Sequence, residues 1–553
     1  MSASRWSRWA CASLSVMAAV GTMAGLAPTA LAAESAKVPA GLAEFYGQQP
    51  KWEPCAKDGQ LAKLQCATLV VPMNYRKPGD ERISVTISKL PAKDTAKRRG
   101  VLLINPGGPG GSGLSMPLAF ADRPIAQTYD LIGFDPRGVG RSTPLLCEYT
   151  PPLGDLPSRP TDEQFALFTA QAQTEESDCE RAAGGLRPYV NTPNTARDMD
   201  VIRGVLGEKK INYLGFSYGT YLGAVFGSLF PASLDRNVLD SSVSPDWIWR
   251  EQFKEQAVAM RANVDAFYKW LGERNSVYGL GKSQAEVFAT TEALAAKLAD
   301  KPITNPQFGK VDRTVYDALV GLNSRYRPLW DTLGKLVKTF KAAADGTAAA
   351  DSAAVVDAGK AAKLLNDLGI AQTTSGVFQT VTCEADWPKD LSIYYSDMKL
   401  YREKYPYGYG VGRAAANPCT FRNFALTDKV TDLKRNGYPT GLVIQAEGDS
   451  QTQYDGGPAM ATKLGDQLVS VADEGTHGLY SRNACASDII DRYLVDGVLP
   501  GTRTTCQGDP RPNVPADGKT ALAPRAANEA PSTSLTDAVQ QYISTKKLTA
   551  GVF

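Results

Sequence analysis

Hydrophobic and polar residues follow two different patterns along this chain of 553 residues. They alternate in C-A-T-L-V-V-P-M-N-Y (66–75) and R-I-S-V-T-I-S-K-L-P (82–91), and such alternation predicts two opening antiparallel strands. Continuous apolar runs predict further strands that are buried on both faces of a sheet. These runs lie within residues 100–113, 129–142, 211–216, 236–243, 440–450 and 467–478, of which the last two are predicted to end the sheet.

Segments with helical spacing of apolar residues lie among the predicted strands, and the longest of them lies between the strands within 100–243 and those within 440–478. A short helix is predicted over 195–206, directly before the strand at 211–216. From about residue 247 to 433 the chain consists of long amphipathic stretches rich in alanine and lysine. This block predicts a helical cap over residues 247–433, inserted into a core whose two parts are 55–246 and 434–506.

Ser217 lies between a predicted strand and a predicted helix in I-N-Y-L-G-F-S-Y-G-T-Y-L-G-A. Glycines at 215 and 219 permit a sharp turn that exposes the hydroxyl, as in a nucleophile elbow. Serine becomes a nucleophile only when a base takes its proton, and His477 is the one histidine of the chain.

An acidic residue must orient that histidine, and Asp449 directly follows the apolar strand G-L-V-I-Q-A-E-G. Glu447 is still within the strand and Asp455 lies deep in the next loop, so they are the weaker alternatives. The order Ser217, Asp449, His477 is that of the α/β-hydrolase fold. We therefore predict an α/β class, with a mostly parallel central sheet and an inserted helical cap.

The glycine-rich loop P-G-G-P-G-G after Asn105 is predicted to help form an oxyanion hole. A tetrahedral intermediate needs backbone N–H groups that already point at its negative oxygen. We expect these donors to be the amides of Tyr218, which follows the nucleophile, and Gly108. A phosphate-binding loop is disfavoured because the Gly-Lys-Ser/Thr ending of a P-loop is missing.

The first residues predict export. A basic start, a mostly small and apolar stretch over 10–26, and small residues at Ala30 and Ala32 are typical of a signal peptide over 1–32. Residues 33–54 are interpreted as a lead-in or short pro-segment. A membrane anchor is disfavoured because the apolar run is short and rich in Ala, Gly and Thr. We expect a secreted, extracellular protein that does not contact the membrane after cleavage.

Eight cysteines remain after removal of the signal peptide, and an even number in an exported chain predicts disulfides. The sequence permits 105 connectivities. Because the cysteines fall into four local couples, we predict the pairs Cys55–Cys66, Cys147–Cys179, Cys383–Cys419 and Cys485–Cys506. A metal site is disfavoured, since C-x-x-C is absent and the only histidine is assigned to catalysis.

The charge composition of the chain limits the classes of partner that it is expected to bind. Sixty basic and fifty-eight acidic residues leave a net charge of +2, which does not favour nucleic acid or an anionic membrane. We expect no cofactor, no metal and no nucleic acid, and a monomer. The tail over 507–553 is rich in Pro, Ala and Gly and is predicted to be mostly disordered, apart from a short helix in L-T-D-A-V-Q-Q-Y-I-S.

Several motifs together resemble the secreted bacterial tripeptidyl aminopeptidases, which are related to the prolyl aminopeptidases. They are N-P-G-G-P-G-G-S-G, F-D-P-R-G-V-G-R-S, N-T-A-R-D-M-D-V-I-R, G-F-S-Y-G-T-Y-L-G and the stretch around T-H-G, and the likeness spans roughly 50–506. The resemblance implies an exopeptidase that releases short peptides from the free N-termini of peptides or proteins. It also implies that Asp135 and Arg137 support the oxyanion loop.

Two other functions remain open. A carboxylic-ester hydrolase would use the same triad, because the fold does not decide the substrate. A non-catalytic binding protein on the same scaffold is disfavoured by the intact triad. If the substrate carries a free amine, acids should surround it. We predict Glu384 and Asp386, beside Cys383, for that role.

Overall fold

The computed structural model describes residues 38–368, 376–520 and 534–546. The predicted signal peptide over 1–32 lies outside these ranges. The strands are β1 (Glu53–Pro54), β2 (Gln65–Pro72), β3 (Arg82–Leu90), β4 (Gly100–Asn105), β5 (Tyr129–Phe134), β6 (Ile211–Phe216), β7 (Leu234–Asp240), β8 (Ile303–Asn305), β9 (Gly309–Val311), β10 (Leu442–Ala446), β11 (Gln467–Ala472) and β12 (Arg503–Gln507).

The α-helices are α1 (Ala43–Tyr46), α2 (Met116–Ala119), α3 (Ile125–Thr128), α4 (Phe165–Ala183), α5 (Thr192–Val205), α6 (Tyr218–Leu229), α7 (Arg250–Gly272), α8 (Asn275–Tyr278), α9 (Gln284–Asp300), α10 (Arg313–Asn323), α11 (Trp330–Ala344), α12 (Ala353–Leu368), α13 (Val377–Thr382), α14 (Leu391–Lys404), α15 (Gly410–Ala414), α16 (Gly456–Leu464), α17 (Ala484–Asp496) and α18 (Leu535–Thr545). None of these helices is both long enough and apolar enough to span a bilayer.

One ten-stranded sheet organises the core, in the order β1-β2-β3-β5-β4-β6-β7-β10-β11-β12. The pairs β1–β2, β2–β3 and β3–β5 are antiparallel, and all later neighbours are parallel. The mostly parallel sheet predicted from the sequence is thus confirmed. Parallel strands place their carboxyl ends at one edge of the sheet, which is where open α/β sheets bind ligands.

The central strands form because both of their faces are covered by helices. Every residue of β4 and β6 is buried, as expected for continuous apolar runs. The last strand, β12, was not predicted, and the prediction that the sheet ends at 467–478 is wrong. In β12 only Cys506 is fully buried, because an edge strand exposes most of its residues and lacks the apolar run that signals a central strand.

The segment between β7 and β10, residues 241–441, is named here the helical insertion. Among the described residues it contains α7 to α15 and a small antiparallel hairpin, β8–β9. It has an apolar core of its own around Phe267, Trp270 and Trp330. Helix α4 precedes the insertion in sequence but also packs on it, where Phe165 contacts the cluster that contains Met398.

The tail makes specific contacts in its described parts. Helix α18 packs on α11 and α12 and buries Val539 and Tyr542 in the core of the helical insertion. The carboxylate of Asp357 accepts hydrogen bonds from the amides of Leu535 and Thr536, at 2.7 and 3.2 Å. The short helix predicted in this stretch is thus present as α18, and its amphipathic face covers an apolar surface of the helical insertion.

The four predicted disulfides are all present, joining Cys55 to Cys66, Cys147 to Cys179, Cys383 to Cys419 and Cys485 to Cys506. The pair Cys383–Cys419 closes a loop within the helical insertion. The pair Cys485–Cys506 joins the start of α17 to β12, and so connects the segment that follows His477 to the sheet.

Candidate active site

Ser217 occupies the turn between β6 and α6 with φ 56° and ψ −126°. A positive φ costs a non-glycine residue on the order of 1–3 kcal/mol, and this strain is a feature of nucleophile elbows. A Cβ atom on Gly215 would lie 2.3 Å from the carbonyl oxygen of Gly219, so the turn closes only with glycine at position 215. The strained turn places Ser217 in the lining of a cleft.

His477 and Asp449 form a buried pair at the carboxyl ends of β11 and β10. His477 Nδ1 lies 2.6 Å from Asp449 Oδ2, and the two residues are 2% and 1% exposed. The hydroxyl of Thr452 donates to the same carboxylate oxygen at 2.9 Å, and the amide of Gln451 donates to Oδ1 at 2.8 Å. The carboxylate is therefore held from several directions.

Burial alone would raise the pKa of Asp449, but the charge of His477 and the hydrogen bond from it outweigh burial and lower that pKa below its ordinary value. The ionised carboxylate holds the proton on Nδ1 of the imidazole, so Nε2 is the basic nitrogen. Nε2 is buried and has no hydrogen-bond partner in the described ranges. A serine-to-imidazole hydrogen bond is thus not closed here, and such bonds often tighten only when substrate binds.

Asp240, the last residue of β7, connects the serine turn to the histidine loop. Its carbonyl oxygen accepts from the amide of Ser217 at 3.1 Å. Its carboxylate accepts from the amides of Leu479 and Tyr480 at 2.8 to 3.0 Å. Burial raises the pKa of Asp240, although those two amides and the nearby His477 act to lower it. One buried residue therefore positions both predicted reacting groups.

The glycine-rich loop after β4 packs directly on the serine turn. Gly108 and Tyr218 line the same cleft as Ser217, which is where the predicted oxyanion donors should lie. A Cβ atom on Gly107 would lie 2.4 Å from the carbonyl oxygen of Phe216, so the loop could not come this close with a larger residue there. The backbone of the loop is thus within reach of a carbonyl bound at Ser217.

Asp135 braces the glycine-rich loop, as the family resemblance implied. Its carboxylate accepts from the hydroxyl of Ser112 at 2.5 Å and from the amide of Gly113 at 3.2 Å. None of the hydrogen bonds that Arg137 donates goes to the glycine-rich loop. Arg137 forms a fully buried ion pair with Asp198 of α5, at 2.6 Å, and so ties the turn after β5 to a core helix.

A cleft that is open to solvent lies above Ser217, between the sheet edge and the helical insertion. Its walls are largely apolar, with Val243, Phe253, Met260, Leu322 and Phe378. Three glutamines and two arginines also line it: Gln252, Gln256, Gln451, Arg325 and Arg413. None of the described lining residues is Asp or Glu. A second cleft adjoins this one at Phe253, Phe378 and Arg413 and extends to Trp387 and Tyr409.

The structure does not bring the predicted amine-binding acids to this cleft. Asp386 is exposed on the surface. Glu384 is buried behind the cleft wall, where its oxygens accept from the amide and hydroxyl of Thr192, both at 2.8 Å, and from the indole of Trp249 at 3.2 Å. Burial raises the pKa of Glu384 to about 7, although these hydrogen bonds act to lower it. Its contacts fix Trp249, which does line the cleft, to helix α5 of the core.

Sequence reasoning missed several residues of the site. Asp240 and Thr452 had a usable signal, since each lies at or just beyond the carboxyl end of a predicted strand. Arg325 and Arg413 had none, because Arg325 lies in the turn after α10 and Arg413 in α15, both far from Ser217 along the chain. In the part of the chain that the structure describes, no group of three or more His, Cys, Asp or Glu side chains is arranged to hold a metal ion.

Comparison with known proteins identifies the class first. A family model described as the alpha/beta hydrolase fold matches residues 100–480, which is more than half of the chain. The chain is an α/β-hydrolase, in agreement with its sheet and its serine turn.

Curated relatives give the narrower family. A tripeptidyl aminopeptidase of Streptomyces lividans is 34% identical over 83% of this chain and 87% of its own length. The serine protease Hip1 of Mycobacterium tuberculosis is 27% identical over 83% of this chain and 91% of its own length. A carboxylesterase B of the same organism is 28% identical over 84% and 91% of the two chains. The chain belongs to the tripeptidyl aminopeptidase family of serine peptidases.

Proposed function

We propose that this protein is an exported serine exopeptidase that removes tripeptides, or peptides of similar length, from free N-termini. The observation that carries the proposal is the buried Asp449–His477 pair, 2.6 Å apart, at the sheet edge where the strained Ser217 turn also lies. Family membership supports peptide substrates, since relatives bear the names tripeptidyl aminopeptidase and serine protease.

The geometry supports the following mechanism. Asp449 holds the Nδ1 proton of His477, and Nε2 takes the proton of the Ser217 hydroxyl as its oxygen attacks the peptide carbonyl. The amides of Tyr218 and Gly108 stabilise the oxyanion of the tetrahedral intermediate. His477 then gives the proton to the leaving amine, and water hydrolyses the remaining acyl-enzyme by the same steps.

Export is supported by two independent features. The first 32 residues have the charge and hydropathy pattern of a cleavable signal peptide. The mature chain contains four disulfides, which form and persist in oxidising compartments. Sequencing the N-terminus of the protein recovered from the culture medium is expected to show loss of residues 1–32.

A pair of substrates tests the exopeptidase. Ala-Ala-Ala-p-nitroanilide with a free amine should be cleaved, and the same compound with an acetylated amine should not. Mass spectrometry of a digested decapeptide should then show removal of three residues at a time from the N-terminus. Equal cleavage of the acetylated substrate would exclude an aminopeptidase. Glu384 and Asp386 do not line the cleft, so neither is expected to contact the amine.

An ester hydrolase is the second candidate, and two observations favour it. The described lining of the Ser217 cleft contains apolar side chains and no carboxylate that could bind an ammonium group. One relative at 28% identity is named carboxylesterase B. The two candidates separate by kcat/KM for p-nitrophenyl butyrate against the free tripeptide anilide, with Ser217→Ala as the blank for both.

A further inference from the structure

Two arginine side chains line the cleft that contains Ser217. Arg325 is only 4% exposed, and it donates to the hydroxyl of Tyr326 at 2.6 Å. With the side-chain amide of Gln451 turned so that its oxygen faces the guanidinium group, the two terminal nitrogens of Arg325 also donate to that oxygen, at 2.9 and 3.0 Å. Arg413 donates to the side-chain oxygen of Gln256 and to the carbonyl of Gly408, the latter at 3.4 Å. All of these acceptors are neutral.

Arg325 is buried and Arg413 is half-buried, and both differ from two fully buried arginines of the described chain. Arg137 and Arg187 are fully buried and each is paired with a carboxylate, at 2.6 and 2.7 Å. Arg325 and Arg413 form no ion pair with any described residue, and the Nε atom of Arg325 is buried without a hydrogen-bond partner. Buried charge without an opposite charge is costly, so its presence at a cleft needs an explanation.

The pKa shifts in the cleft also indicate that these two arginines have no carboxylate partner among the described residues. Burial, together with the positive charge of Arg325, lowers the pKa of Arg413 to about 10. The charge of Arg325 helps to lower the pKa of Asp449, but the oxygens of Asp449 already accept hydrogen bonds from His477, Thr452 and Gln451. No described carboxylate of the protein therefore pairs with either arginine, so an anionic partner would have to come from a ligand.

We propose that Arg325 and Arg413 form a carboxylate-binding site beside Ser217, which selects peptide substrates that carry a negative charge close to the cleaved bond. A guanidinium group matches a carboxylate with two parallel hydrogen bonds, and it binds this group more strongly than it binds neutral acceptors. The carboxylate belongs either to an Asp or Glu side chain or to the C-terminus of a short peptide. This inference rests on the proposed peptidase function.

Two matched substrate pairs distinguish the sources of the carboxylate. Ala-Ala-Glu-p-nitroanilide against Ala-Ala-Gln-p-nitroanilide tests a side chain, because neither compound has a terminal carboxylate. Ala-Ala-Ala-Ala against its C-terminal amide tests the terminus. We expect kcat/KM for the charged member to exceed that for the neutral member by about tenfold or more in one of the pairs.

Variants then assign the preference to the arginines. Arg413→Gln and Arg325→Gln should each bring the charged-to-neutral ratio close to one, and the Lys variants should keep part of it. Arg503→Gln removes the same charge from the exposed edge strand β12 and should leave the ratio unchanged. A ratio near one in the unaltered enzyme for both pairs overturns the site, as does a preference that survives in both Gln variants.

A binding measurement separates this inference from the peptidase proposal. Calorimetry on Ser217→Ala compares Ala-Ala-Glu-amide with Ala-Ala-Gln-amide, and the tetrapeptide acid with its amide. Tighter binding of a charged member that is lost in Ser217→Ala combined with Arg413→Gln supports the site even if no peptide is hydrolysed. Equal binding within both pairs refutes the site even if the enzyme proves to be a peptidase.

Discussion

The sheet core and the helical insertion build opposite walls of one cleft, and they use polar groups in different ways. On the core side, Asp449 and His477 are bonded to each other and to neighbouring amides and hydroxyls. On the insertion side, Arg325 and Arg413 contact neutral acceptors only. A closed network keeps reacting groups in place, whereas an unpaired charge remains available for a ligand. We infer that the core performs the reaction and the insertion selects the substrate.

The largest expected effect tests the core side. Ser217→Ala and His477→Ala should each lower kcat by about 10⁴-fold to 10⁶-fold, because the members of a triad act as a unit. Tripeptide anilide hydrolysis measures the loss, and circular dichroism checks the fold. Ser177→Ala, an exposed serine on α4, is the matched control. Substantial turnover by purified His477→Ala would remove the mechanism, since the chain has no other imidazole.

The free energy of unfolding should respond differently to the loss of a paired arginine and of an unpaired one. Arg137→Gln leaves the buried carboxylate of Asp198 without its partner and should destabilise the fold by about 3–5 kcal/mol. Arg413→Gln removes a charge that has no carboxylate partner, and should leave stability unchanged or raise it. Urea unfolding followed by tryptophan fluorescence measures both. Equal destabilisation by the two variants would contradict the distinction between the two arginines.

The core network is expected to cause the loss of activity at acid pH. The charge of His477 and the hydrogen bond from it lower the pKa of Asp449 despite its burial, so this carboxylate remains ionised and keeps orienting the imidazole as the solution is acidified. Since an imidazolium cannot act as a base, kcat/KM should fall about tenfold for each unit of pH on the acid side. Proton NMR of the single histidine gives its titration directly. A midpoint that differs widely from the acid limb of kcat/KM would assign the limb to another group.

The smallest expected effect tests the insertion wall. Phe378 lines both the Ser217 cleft and the adjoining one, so Phe378→Ala should raise KM for substrates with bulky side chains by about tenfold while kcat changes little. Phe288→Ala, on α9 and not among the cleft residues, is the control. A fall in kcat with constant KM would place Phe378 in the reaction and not in substrate selection.

Local patterns were sufficient for much of the core. Continuous apolar runs marked the central strands because those strands are covered on both faces, and Gly215 with Gly219 marked the turn at Ser217 because a side chain at position 215 would collide with the backbone. The cysteine pairs were also predictable, since each pair is local in the chain. The same approach missed β12, whose edge position leaves few apolar residues to detect.

Local sequence patterns did not predict which side chains line the cleft. Glu384 and Asp386 are two residues apart, yet one is buried against Thr192 and Trp249 and the other faces solvent. Arg325 and Arg413 are distant in sequence and meet beside Ser217 only after the helices of the insertion pack on one another. Strand patterns depend on neighbours along the chain and are therefore visible in the sequence. Which side chains converge at a cleft depends on how whole helices pack, and only the tertiary structure decides that.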